Sequence, residues 1–70
     1  MSFRDLTWYR NALRAGNKAL VLSNKTADSI IIIRDMKTNM FGIGIGSGEP
    51  QWCKDSDTHD FIATINPTRH

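Results

Sequence analysis

Apolar positions in the first stretch of the chain, Leu6, Tyr9 and Leu13, fall at i, i+3 and i+7 with Trp8, Ala12 and Ala15 alongside. That spacing predicts an amphipathic helix over residues 2–16, with Ser2 and Asp5 forming a capping pattern and Gly16 ending it in a left-handed conformation. Arg10 and Arg14 then sit one turn apart near the helix C-terminus, where cations suit the dipole and solvate the outer face. "KALVLS" (18–23), short, aliphatic and bounded by Gly16-Asn17 and Asn24-Lys25, reads as a strand. "SIIIIRD" (29–35) has neither a helical nor an alternating period, which predicts a central strand buried on both faces. One of those faces would meet the helix, and a subunit interface would cover the other. "DMKTN" is a turn, "MFGIGIG" (40–46) the next strand, "GSGEP" another turn and "QWC" a short strand. In the polar connection "KDSDTHD", Ser56 or Asp57 could cap one helical turn before "FIATI" closes the sheet. The expected fold class is α+β, an N-terminal helix packed on a small antiparallel sheet of four or five strands. Residues 1–66 form one compact domain and 67–70 a loose C-terminal tail.

Size changes this picture in one respect. Seventy residues allow a single core, which at this length rarely supplies more than about 3–5 kcal/mol of net stability unaided. Cys53 is the only cysteine, so no intramolecular disulfide helps, and a homo-oligomer is the expected source of further burial. A single cysteine without a signal peptide or long apolar run points to a reducing cytoplasm, with no membrane contact. Nine basic residues against seven acidic give a net charge of +2. They are scattered along the chain without a block of like charge, which argues against nucleic-acid binding.

The run "FGIGIGSGE" raises the question of phosphate binding. In an extended chain Phe41, Ile43 and Ile45 share one face while Gly42, Gly44 and Gly46 share the other, so the segment is a strand with one bald face. The dinucleotide fingerprint would need glycine where Ser47 or Glu49 stands, and the Gly-Lys-Ser/Thr ending of a P-loop is absent. Glycines inside a strand call for close approach: of the N-terminal helix, of a flat ligand, or of a partner backbone. Trp52, beside the glycine-rich turn, has three readings: core packing, stacking on a planar base, or anchoring a partner. Cys53, Asp55, Asp57, His59 and Asp60 are the residue types of metal or nucleophilic sites, but their spacing matches neither a zinc pattern nor a calcium loop. Cys53, His59 and Asp60 carry no recognised catalytic signature. No catalytic residue, metal or cofactor is assigned.

Two segments resemble the phage anti-Thoeris sponges of the second type. The first is "ALRAGNKALVLS", through Leu13, Gly16, Lys18 and Val21; the second joins Trp52 to Asp60, Phe61, Ile62 and Ala63. The chain departs from that pattern where Ser23 and Asn24 replace a basic pair, and it lacks a final tryptophan near Asn66. The resemblance implies a small, non-enzymatic counter-defence protein that binds and sequesters a nucleotide-derived host immune signal between subunits. In that arrangement Trp52 stacks on a base and the backbone of Gly44, Gly46, Ser47 and Gly48 approaches ribose or phosphate. Arg34 and Lys37 offset the phosphate charge, and Asp60 joins the same ligand-binding set. The competing expectation is a protein inhibitor that binds a host enzyme or defence complex directly, with the glycine strand as an edge for β-addition or Trp52 as anchor. Under either reading the setting is the host cytoplasm.

Overall fold

The computed structural model describes residues 6–68. The chain runs β1 (Thr7–Tyr9), α1 (Ala12–Thr26), β2 (Ile30–Asp35), β3 (Met40–Ile45), α2 (Gln51–Lys54) and β4 (His59–Ile65). The four strands form one antiparallel sheet in the order β1-β3-β2-β4, with α1 across one face, so the α+β fold is as expected.

The boundaries at the start of the chain differ from the sequence reading. Residues 7–9 are a strand, and the helix begins at Ala12 and continues through "KALVLS". The expected cap at Ser2 lies outside the described residues. Asn11 is the actual cap, its side-chain oxygen accepting from the N–H groups of Leu13 (2.8 Å) and Arg14 (3.2 Å). Gly16 does not end the helix; it lies inside it, where glycine costs about 1 kcal/mol relative to alanine and tertiary packing outweighs that loss. The buried positions are Ala15, Ala19 and Ser23, each four residues from the next, so the face that docks on the sheet is made of small residues. Ser23 is accommodated because its hydroxyl donates to the Asp28 carbonyl at 2.6 Å. The helix ends at Ala27, which takes the left-handed conformation (φ 59°) usually left to glycine.

Strand β2 is central as expected, and Ile30, Ile31 and Ile33 are fully buried, with Ile32 nearly so. Ile30 and Ile32 join Ala15, Ala19 and Ile43 beneath α1, with Tyr9, Leu22, Phe41 and Ile65 at the margin. On the opposite face Ile31 and Ile33 pack with Cys53, Trp52 and Phe61. This second cluster corrects two expectations. "QWC" is a helical turn rather than a strand, and that turn, not a second subunit, covers the far side of the isoleucine run.

In β4, Ala63 stands opposite Ile32 while Phe61 stands opposite Ile33, leaving Ile62 as the extra residue of a bulge. Beyond β4 the chain is tied back by Ser29 Oγ to Asn66 Oδ1 (2.8 Å) and by the Thr68 N–H to Asn24 Oδ1 (2.9 Å).

Candidate functional site

The glycine face of β3 is the first place to look for a ligand. Trp8 is paired with Gly42 across β1 and β3, and a Cβ built on Gly42 would lie 2.9 Å from Trp8 Cζ3. The indole of Trp8 therefore occupies the space a side chain would need, and Gly44 beside it is buried as well. Alpha1 lies on the other face, over Ile43, so the helix is not what the bald face receives. Nor is β3 an edge open to β-addition, since it sits between β1 and β2.

Trp8 belongs to an aromatic group on that side of the sheet. His59 lies 6.4 Å from it and 5.7 Å from Trp52, the latter in an edge-on arrangement. His59 Nδ1 is 2.7 Å from Ser56 Oγ and 3.2 Å from Thr58 Oγ1, while Nε2 lies 3.8 Å from Asp35 Oδ2, opposite it across β2 and β4. A serine, a histidine and an aspartate thus meet. Ser56 Oγ also accepts the Thr58 N–H at 3.2 Å, which fixes the hydroxyl as part of the turn into β4. The grouping considered from sequence is not the one assembled: Asp60 alternates to the opposite face from His59, and Cys53 reaches only the His59 carbonyl, at 3.9 Å. Burial first, and then the negative charge of Glu49, push the Cys53 thiol above its ordinary value of 9.0, which keeps it protonated and poorly nucleophilic. Among the described residues no three His, Cys, Asp or Glu side chains converge as metal ligands would.

The ligand set expected from sequence is dispersed. Arg34 and Lys37 lie at the end of the sheet holding the 36–39 turn, where the Arg34 guanidinium is forked on Asn39 Oδ1 at 2.6 and 3.2 Å. Lys37 is exposed, its N–H taken by Asp35 Oδ1, and Asp60 is exposed opposite Arg34. Gly46, Ser47 and Gly48 lie at the other end of β3, about 15 Å away at ~3.3 Å per residue. Gly46 donates to the Ser29 carbonyl, and Gly48, at φ +77°, donates to Thr64 Oγ1. Trp52 is half-buried on the far face from Arg34. The structure brings Trp52 and Gly44 to one face and leaves the charged members elsewhere.

A different surface was hidden in the sequence by the misplaced helix. Between residues 6 and 27 the chain carries Arg10, Arg14, Lys18 and Lys25 and no carboxylate, whereas residues 28–68 carry six carboxylates against three cations. Folding puts the basic group on one layer made by α1 and β1. Open depressions line that layer, and Tyr9, Asn11, Arg14 and Lys18 each border two of them. Apolar side chains are exposed among the cations, Leu13 by 72% and Val21 by 63%. Arg10 and Arg14 are at the N-terminus of α1 rather than its C-terminus, so they face the positive end of the dipole, and no acidic residue in the first turn offsets them. Such placement costs a helix about 0.3–1 kcal/mol per charge. No helix is long and apolar enough to cross a membrane among the described residues. Comparison of the chain with protein-family models, curated proteins and solved structures finds no match to any of them.

Proposed function

We propose that this chain is a small, non-enzymatic binding protein that uses the α1–β1 layer to engage an acidic surface on another protein. The observation that carries this reading is the pair Arg10 and Arg14 at the positive end of α1, continued by Lys18 and Lys25, with no carboxylate among the described residues 6–27. An arrangement that weakens its own helix and leaves Leu13 and Val21 in solvent is poor design for stability and good design for a partner. The inhibitor role expected from sequence is retained with a different surface: the basic helix layer takes the place of the buried glycine strand and of Trp52. Exposed apolar side chains outside the basic layer, Ile45 and Ile62, also leave room for a homo-oligomer, and the free thiol of Cys53 suits a reducing cytoplasm.

A specific observation favours the nucleotide-sponge reading as well. One depression, of about 390 Å³, places Trp8 and Tyr9 beside Arg10 and Arg14. The Tyr9 ring for a base and guanidiniums for phosphates are the chemistry that ligand needs. The Asn11 side chain already takes two N–H groups at the helix start, so the arginines would hold the anion. The phage counter-defence setting comes from the resemblance alone.

One experiment separates the two. The wild type and an Arg10→Glu/Arg14→Glu variant are purified from bacterial cells, examined by native mass spectrometry and used to capture partners from bacterial lysate. A stoichiometric protein held by the wild type and lost by the variant is the expected result. A co-bound species in the nucleotide mass range, lost on the same substitutions, would replace it with the sponge reading. Equal behaviour of the two chains would sink both.

A further inference from the structure

A helix is about 10 Å across, whereas four strands at ~4.8 Å span about 19 Å, so one helix cannot cover a face of this sheet. On the β4 side the uncovered strip ends where residues 66–68 are pinned back through Ser29–Asn66 and Asn24–Thr68. On the β1 side it is an open groove of about 310 Å³, floored by Tyr9, Leu22 and Ile43 and walled by Lys18, Val21 and Lys25. Lys18 and Lys25 are seven residues apart, two helical turns or about 10.5 Å. Val21 stands between them, largely in solvent.

We infer that this groove seats an amphipathic acidic peptide segment of the partner protein. Two carboxylates about 10 Å apart meet Lys18 and Lys25, and apolar side chains between them fill the floor over Leu22 and Ile43. The inference rests on the proposed protein-binding function and names its mode. Charge complementarity selects the occupant: two lysines flank an apolar floor, and no carboxylate is among the described residues that line the groove. A flat anionic bilayer or a phosphate backbone would reach the lysines and leave the concave apolar floor empty. A second copy of this chain is a poor fit: of its exposed carboxylates, Glu49, Asp55 and Asp57 flank a helix of only four residues, too short to fill the groove, while Asp28 and Asp60 stand singly, between α1 and β2 and on strand β4.

The test pans a random peptide library displayed on phage against the full chain, with the Lys18→Glu/Lys25→Glu variant as counter-selection. Phosphatidylserine vesicles and a DNA duplex are run in parallel. Expected are peptides with paired Asp or Glu around apolar residues. Their synthetic consensus should lose at least about tenfold in affinity on Lys18→Glu/Lys25→Glu and on Val21→Asp, and keep it on Lys54→Glu, with circular dichroism unchanged in all. Acid-poor peptides, no enrichment over the counter-selection, a groove-dependent vesicle or duplex signal, or a dimer broken by Val21→Asp would each overturn the inference. Partner capture lost on Arg10→Glu/Arg14→Glu but kept on Lys18→Glu/Lys25→Glu would overturn the groove alone and leave the proposed function standing.

Discussion

The two faces of the sheet share one isoleucine run and are finished in opposite ways. Beneath α2, Ile31 and Ile33 are sealed by Cys53, Trp52 and Phe61, and the neighbouring glycine row receives Trp8. Polar groups there are tied into the turn through Ser56, Thr58 and His59. Beneath α1 the core is equally closed at Ile30 and Ile32, but the helix buries only alanines and a serine there, with Leu22 at the margin, and turns Leu13, Val21 and three cations outward. The first face spends its large side chains on stability. The second leaves them in solvent, and that difference is what the proposed binding role rests on.

This contrast can be broken most forcefully at the sealed face. Ile33→Ala leaves a cavity under the aromatic group and is expected to cost about 2–4 kcal/mol, read from urea denaturation, because the surrounding rings cannot collapse fully onto the void. A loss below 1 kcal/mol would mean the seal is loose. Gly42→Val sharpens the same point: its Cβ would meet the Trp8 ring at 2.9 Å, so the indole must leave, at about 1–3 kcal/mol and with a red shift in tryptophan emission. Unchanged fluorescence would show that Trp8 does not need that space.

A smaller effect follows from Cys53. Its thiol titrates above 9.0 in the folded chain because of burial and then Glu49, so the folded state holds its proton longer than the unfolded state does. Stability from this group is complete below the unfolded value and is lost as the pH rises above 9.0 toward the folded value. Cys53→Ala should flatten that alkaline decline in a pH series of melting temperatures; the same slope in both proteins would refute it. At the open face the sign reverses. Arg14→Glu puts an acid in the first turn of α1 and is expected to gain about 0.3–1 kcal/mol while weakening partner capture. Destabilisation by this change would remove the case for a surface that trades stability for function.

Strands β2, β3 and β4 and the turn over 36–39 were legible because an isoleucine run, an alternating Phe-Ile-Ile pattern and turn residues each admit one local structure. The first 27 residues were not. In α1 the large apolar side chains Leu13 and Val21 lie outside, while the buried positions are Ala15, Ala19 and Ser23, so periodicity counted on size finds the wrong face. The spacing of those small residues and the capping asparagine, Asn11, were the signals that would have found it. The same error scattered the basic residues: Arg14, Lys18 and Lys25 come together only once they share a helix, with Arg10 just before its cap. Trp8 escaped notice because its partner, Gly42, lies 34 positions away in the sequence, and only strand pairing joins them.

The bulge at Ile62 carries a consequence for the molecule among other molecules. Strand β4, seven residues long and at the edge of the sheet, would by itself be a template on which a neighbouring chain could stack its own strand, the first step toward fibrils. The extra residue interrupts the regular spacing of hydrogen-bonding groups and bends the strand, and Pro67 just beyond it has no N–H to offer. In a chain this small and this rich in isoleucine, the outer strand is thus blunted as a template by a single inserted side chain.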